Sequence, residues 1–152
     1  MVRELATYER AAHEVELTEG MLQASIFGER PRVFAHVAEV DDTVVGMAVW
    51  FFNYSTWRGR HGIYLEDLYV RPEHRGRGLG RMLLQVLASE AVRLDCARLE
   101  WSVLDWNTPA IDFYTALGAQ PMDEWTVFRL TGTALAALSE NSHPSGAGAT
   151  ST

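Results

Sequence analysis

A glycine-rich and arginine-rich segment in the middle of the chain has the residue types needed to bind an anion. Lys is absent, and four of the 13 basic residues fall within eleven positions, namely Arg71, Arg75, Arg77 and Arg81. This segment carries a net charge of +3, whereas the rest of the chain carries −10. Gly76, Gly78 and Gly80 allow backbone N–H groups to approach a ligand without an intervening Cβ. The pattern predicts an anion-binding loop in an otherwise acidic protein.

The elements predicted on either side of this loop favour a pyrophosphate site. An apolar strand is predicted over residues 63–70, and residues 79–94 have apolar side chains at helical spacing. The N-terminus of a helix offers unpaired N–H groups and the positive end of its dipole. A plain glycine-rich turn and a Rossmann dinucleotide loop are the alternatives. Glu100 fits the Rossmann pattern, but Arg81 occupies its third glycine position and Glu66-Asp67 interrupts the apolar strand.

Strand and helix patterns along the rest of the chain predict a mixed α/β (α+β) domain with a mixed sheet. The predicted helices cover residues 1–12, 18–26, 79–94 and 108–117, and the predicted strands cover 33–40, 43–54, 63–70, 98–104 and 125–130. Asp41-Asp42 is predicted to turn the first hairpin. We expect residues 1–138 to form one domain. The Ser-, Gly-, Ala- and Thr-rich residues 139–152 are expected to form a disordered tail.

Composition excludes several other chemistries. The absence of Lys rules out a Walker A loop and Schiff-base or pyridoxal phosphate catalysis. The net charge of −7 disfavours nucleic acid and favours a cationic ligand. The five histidines lack metal-ligand spacing, so no metal is expected. Cys96 is the single cysteine of the sequence, so it cannot form an internal disulfide, and we expect it to be a packed thiol. With no bilayer-length apolar run and no signal-peptide pattern, a cytoplasmic protein with no membrane partner is expected.

The loop is similar to the acetyl-CoA pyrophosphate loop of the GNAT superfamily of N-acetyltransferases. It fits that superfamily's R-x-x-G-x-G pattern as Arg75-x-x-Gly78-x-Gly80. Across residues 3–138, further stretches resemble the spermidine/spermine (diamine) acetyltransferases. These stretches are LTEGML, TWRGR, YLEDLYVRPEHRGRGLG, VLDWNTPAIDFYTALGA and an EW pair. The resemblance implies a GNAT acyl-CoA N-acyltransferase fold, here without its usual first strand, and a homodimer.

The same resemblance implies roles for individual residues. The positions expected to contact the coenzyme are Leu68, Tyr69, Val70, Arg75, Gly76, Arg77, Gly78, Leu79, Gly80, Arg81 and Asn107. The positions expected to line the amine channel are Tyr8, Glu9, Glu66, Asp67 and Glu124. Tyr114 would protonate the departing thiolate, and Glu66 would remove a proton from the amine through water.

Some of these residues also have a purely structural interpretation. From its helical spacing alone, Tyr114 is predicted to be an aromatic residue of the core. Asn107, at the start of a helix, is predicted to be an N-terminal cap. Adjacent strand residues point to opposite faces, so Glu66 and Asp67 can share a site only if the strand is bulged. Strands of the superfamily at this position typically carry such a bulge.

The implied activity is direct acetyl transfer from acetyl-CoA to a primary amine of a polyamine, a diamine or a similar small cationic amine. A second hypothesis has thialysine or another amino-acid-like amine as the acceptor. A third is a non-catalytic acetyl-CoA-binding module, and a fourth is the nucleotide-binding protein considered above.

Overall fold

The computed structural model describes residues 1–140 and shows a mixed α/β chain, which confirms the predicted fold class. The helices are α1 (Val2–Tyr8), α2 (Glu19–Phe27), α3 (Leu79–Arg93), α4 (Thr108–Ala116) and α5 (Gly132–Glu140). The strands are β1 (Phe34–Val40), β2 (Thr43–Ser55), β3 (Arg60–Val70) and β4 (Leu99–Trp101). The chain divides into two compact units, Met1–Trp106 and a second from Asn107 onward, which are described separately. The single domain over residues 1–138 stays a prediction.

All four strands lie in the first unit and form one mixed sheet in the order β1-β2-β3-β4. The β1–β2 and β2–β3 pairs are antiparallel, and the β3–β4 pair is parallel. The β1–β2 hairpin turns at Asp41 and Asp42, as predicted, and both residues have positive φ, at 49° and 59°. Two left-handed residues at a two-residue turn match the twist of an antiparallel pair, and Asp tolerates this conformation better than most residues.

The first unit has a packed core around the sheet. Leu5 of α1 packs with Met47, Val49 and Tyr69, and each of these side chains is less than 9% exposed. Helix α3 buries four residues at helical spacing, namely Leu83, Leu84, Leu87 and Ala91. Each fully buried Leu stabilises the fold by roughly 1.5–3 kcal/mol, so this stripe fixes the helix against the sheet. The core thus holds the N-terminus of α3, where the predicted anion site lies.

Several predicted boundaries are wrong, for physical reasons. Helix α1 ends at Tyr8 rather than near residue 12, because Arg10 adopts a left-handed conformation with φ of 63°. The strand predicted over 98–104 is only Leu99–Trp101, and its ladder with β3 ends at the pair Leu65–Trp101. Within the described residues no strand forms over 125–130, where Phe128 is 91% exposed. A β-rich segment with no ladder partner is not held as a strand.

Helix α5 was not predicted, and it extends to Glu140. The remainder of the predicted C-terminal tail lies outside the described residues. None of the helices in the described part of the chain combines the length and the apolarity that a membrane-spanning helix needs.

Candidate functional site

The predicted anion loop forms the start of α3. Gly78 is the N-cap residue with φ of +81°, and Gly76 has φ of +74°, a region that L side chains rarely adopt. The first intrahelical bond runs from the Met82 amide to the Gly78 carbonyl at 3.0 Å. The N–H groups of the preceding first turn, which includes Leu79, Gly80 and Arg81, therefore have no carbonyl partner within the helix.

There is room beside this loop for a bound group. A Cβ built on Gly76 or Gly78 would meet no heavy atom within 4 Å. Arg77 and Arg81, in and just after the loop, are both exposed. A helix N-terminus with free N–H groups, open space and two guanidinium groups fits a pyrophosphate. The residues present therefore suit the coenzyme that the sequence resemblance implies.

The strand that leads into the loop has one unpaired edge. Leu68, Tyr69 and Val70 pair with β2 on one side. On the other side the ladder with β4 ends at Leu65, so within the described residues no strand covers the edge beyond it. Unpaired backbone groups on a strand edge can hydrogen-bond to the amide groups of an extended ligand. The pantetheine arm of coenzyme A contains such amides.

A bulge in β3 brings two acidic residues together. Val49 pairs with Asp67, whereas the next residue, Trp50, pairs with Leu65, so Glu66 has no partner on β2. This is the bulge that the resemblance implied, and it allows successive side chains to face the same region. Glu66 is exposed and Asp67 is half-buried. Burial, followed by the negative charges of Glu66 and Glu9, raises the pKa of Asp67 from 3.8 to about 6.

Glu9 joins these two carboxyl groups from the end of α1. Burial raises the pKa of Glu9 as well. Glu9, Glu66 and Asp67 are called the acidic cluster below. The sequence favoured Glu66 as the principal carboxylate, but the structure makes Asp67 the one whose ionisation is most disfavoured. Carboxylates held close together in a partly buried setting lower their mutual repulsion by binding a cation.

Two arginines on either side of the turn Pro72–His74 hold α1 against the end of β3. Arg71 donates two hydrogen bonds to the Glu4 carboxylate, from Nε at 3.1 Å and from a terminal nitrogen at 3.0 Å. This hydrogen bonding lowers the pKa of Glu4. Arg75 donates from Nε to the Val70 carbonyl at 2.8 Å. Its guanidinium carbon lies 5.0 Å from the ring centroid of Tyr8.

Trp106 and Arg10 extend this contact beyond α1. The Tyr8 and Trp106 ring centroids are 6.1 Å apart, and the Arg10 guanidinium carbon lies 5.1 Å from the Trp106 ring centroid. Sequence reasoning missed Arg10 and Trp106, as well as the Glu4–Arg71 pair. The positive φ of Arg10 leaves no mark in the residue type, and the partners of Trp106 are 96 or more positions away along the chain.

The other predicted site residues belong to the second unit. Asn107 is buried and is the N-cap residue of α4, although its side chain makes no capping hydrogen bond. Tyr114 is half-buried on α4, with its ring centroid 5.3 Å from that of Phe113. Glu124 is exposed, between α4 and α5. The roles of these three residues stay predictions, and so do the roles of the predicted site residues in the first unit.

Within residues 1–140, no group of three or more His, Cys, Asp or Glu side chains is arranged to hold a metal ion.

The model of the acetyltransferase (GNAT) family matches residues 2–119, which is most of the chain. The matched residues include the mixed sheet, the unpaired β3 edge and the glycine loop at the start of α3. The chain belongs to the GNAT acetyltransferase family.

Similar proteins define its place within that family more closely. A thialysine N-epsilon-acetyltransferase of Bos taurus is 43% identical over 149 residues, covering 91% of this chain and 87% of that protein. A human spermidine/spermine N(1)-acetyltransferase-like protein 1 is 33% identical, covering 85% of this chain and 20% of that protein. An integron cassette protein from the V. cholerae mobile metagenome has a solved structure with a TM-score of 0.76 and 28% identity, covering 90% of this chain and 86% of that one. The chain is an N-acetyltransferase whose relatives fit the diamine acetyltransferase family.

Proposed function

We propose that this protein transfers an acetyl group from acetyl-CoA directly to a primary amine of a small cationic molecule. The observation that supports this best is the continuous unit running from the β3 bulge to the start of α3. The bulge supplies the acidic cluster, which suits an ammonium group. The loop supplies the cradle for a pyrophosphate.

The coenzyme would bind along the second half of this unit. Gly76, Gly78 and the first turn of α3 would hold the pyrophosphate through backbone N–H groups, with Arg77 and Arg81 neutralising its charge. The unpaired edge of residues 68–70 would hold the pantetheine amides, and Asn107 is proposed to contact the coenzyme as well. Bound acetyl-CoA supplies a thioester, whose carbonyl carbon accepts the nucleophile and whose sulfur leaves.

The amine would bind at the acidic cluster. An alkylammonium with a pKa near 10 must lose a proton before its nitrogen can attack. Glu66, exposed beside the bulge, would accept that proton through a water molecule, while Glu9 and Asp67 keep the site negative. Tyr114 would donate its phenolic proton to the departing sulfur, and Tyr8 and Glu124 would line the amine channel.

The preferred acceptor in this proposal is an amino-acid-like amine of the thialysine type. Relatives named for thialysine match 91% of this chain at 40–43% identity. A polyamine or diamine is the second candidate, because three neighbouring carboxyl groups suit a molecule with more than one positive charge. The comparisons identify an enzyme, and they give no support to the non-catalytic binding module.

Release of free thiol from acetyl-CoA, measured with a panel of amines, tests this proposal. The panel contains thialysine, lysine, ornithine, spermidine and putrescine. We expect amine-dependent thiol release, fastest with thialysine. Fastest release with spermidine would replace the preferred acceptor by the second candidate. Coenzyme binding with no release on any amine would refute the proposal.

A second experiment tests the proposed acid. Tyr114→Phe keeps the ring and removes the proton, so we expect kcat to fall about 10²-fold or more while the affinity for coenzyme A stays the same. Phe113→Tyr, at the neighbouring position on α4, adds a hydroxyl and serves as a control that should not restore turnover in the Tyr114→Phe background. Unchanged kcat in Tyr114→Phe would remove Tyr114 from this role.

A further inference from the structure

Arg10 has an unusual backbone conformation directly after the acidic cluster residue Glu9. Its φ of 63° lies in the left-handed region, and its amide donates to the Thr7 carbonyl at 3.1 Å. A left-handed conformation costs a residue with a Cβ roughly 1–2 kcal/mol. Such strain tends to persist where the surrounding structure needs a side chain in a particular place.

The Arg10 side chain is held by an aromatic ring rather than by an acid. Its guanidinium carbon lies 5.1 Å from the centroid of the Trp106 ring, and that ring also contacts Tyr8. In the part of the chain that the structure describes, Arg10 forms no ion pair with Asp or Glu. The side chain is exposed. It therefore presents an unneutralised guanidinium one residue beyond Glu9.

A cation placed next to the acidic cluster distinguishes between the two classes of acceptor. A polyamine carries positive charge at each nitrogen and no negative charge. An amino-acid-like amine carries a side-chain amine at one end and a carboxylate at the other. A site for the second class needs negative charge near the reacting amine and positive charge further along. The negative charge of Glu9 acts on the Asp67 carboxyl, and Arg10, which directly follows Glu9 in the chain, carries a positive charge.

We propose that Arg10 binds the α-carboxylate of an amino-acid-like acceptor and thereby selects it over a polyamine. This inference rests on the proposed acetyl transfer and concerns the acceptor end of the same site. The planar guanidinium fork matches a carboxylate with two parallel hydrogen bonds. The guanidinium carbon lies over the Trp106 ring, and this cation–π contact helps to hold the side chain in place. Holding the side chain in advance reduces the entropy lost when the acceptor binds.

A matched pair of substrates isolates the carboxylate. Thialysine and its decarboxylated analogue, bis(2-aminoethyl) sulfide, share the thioether and the reacting amine and differ only in the carboxylate. For Arg10→Gln we expect kcat/KM for thialysine to fall about tenfold, mainly through KM, since the ion pair is partly exposed to water. For the analogue, kcat/KM should change less than about twofold. Arg10→Lys, which keeps the charge without the fork, should recover part of the loss on thialysine.

Two further variants separate recognition from folding. Arg32→Gln removes an exposed guanidinium just before β1 and should leave the ratio of the two kcat/KM values unchanged. Trp106→Leu removes the ring beneath Arg10 and should lower kcat/KM for thialysine about threefold, since one exposed cation–π contact is lost. In the double variant Trp106→Leu should add little to Arg10→Gln, because its effect acts through that side chain.

The outcomes are distinguishable. Equal losses on both substrates in Arg10→Gln would overturn the inference and give Arg10 a general structural part. No loss on either substrate would also overturn it, and so would a wild-type protein that acetylates the analogue but not thialysine. A wild-type protein that acetylates no amine would instead refute the proposed function itself.

Discussion

Replacing Asp67 by Asn should make the protein more stable and a poorer enzyme. In the folded protein, burial and the charges of Glu66 and Glu9 raise the pKa of the Asp67 carboxyl from its ordinary value of 3.8 to about 6. Between these two values the folded state holds a proton that the unfolded state has released. The free energy of unfolding therefore falls as the pH rises through this range, and the full cost of the ionised carboxylate is present above about pH 6.

The size of the effect follows from the same two values. One unit of pKa difference corresponds to about 1.4 kcal/mol, so the ionised Asp67 costs at most about 3 kcal/mol at about pH 8. At about pH 4.5 the same calculation gives a cost of about 1 kcal/mol. Asn keeps the shape of Asp and cannot ionise. Asp67→Asn should therefore raise the free energy of unfolding by up to about 2 kcal/mol more at the higher pH than at the lower.

Urea denaturation of wild type and variant at both pH values measures this difference. Asp112→Asn, at an exposed position on α4, serves as the control and should change stability by less than about 0.5 kcal/mol at either pH. The same Asp67→Asn protein should bind the amine more weakly, with KM raised about tenfold, because one of three cluster charges is lost. A gain in stability that does not depend on pH, or a loss at about pH 8, would refute the reasoning.

Two glycine comparisons test the packing and the loop. Gly62→Ala should destabilise the protein by about 2 kcal/mol, since the new Cβ would overlap the Asn53 side-chain oxygen. Gly20→Ala, where a Cβ would meet nothing within 4 Å, should stabilise α2 by about 0.5–1 kcal/mol. Thermal melting measures both changes. Gly78→Ala should lower coenzyme A affinity about tenfold by calorimetric titration, whereas Gly59→Ala, equally left-handed but in the β2–β3 turn, should leave it unchanged. Equal affinities in these two variants would remove the loop from coenzyme binding.

Much of the first unit could be predicted from the sequence because its signals are local. The apolar spacing of Leu83 and Leu87 predicts α3, and the glycines before Leu79 predict an anion loop at its start. Thr18 stands at the start of the predicted helix 18–26, and its hydroxyl caps α2 by accepting from the Met21 amide at 3.2 Å. The family implied the β3 bulge, and the register of β2 and β3 contains it.

The features that sequence reasoning missed depend on distant partners. The pKa of Asp67 depends on burial, on Glu66 and on Glu9, which lies far earlier in the chain, directly after α1. Arg10 contacts Trp106, and no local pattern encodes a contact between positions so far apart in the chain. The segment over 125–130 has strand-forming residues, but within the described residues it has no ladder partner and is not a strand. The homodimer that the family implies and the cytoplasmic location that the sequence pattern predicts both stay predictions.

Mass spectrometry of the reaction products is the sharpest test of the proposed acetyl transfer. The purified protein is incubated with acetyl-CoA and thialysine, and the amine and the coenzyme are both followed. Thialysine should gain one acetyl group on its side-chain amine, and one equivalent of free coenzyme A should form with it. Coenzyme A formed without acetylated amine, or no reaction with any amine of the panel, would contradict it.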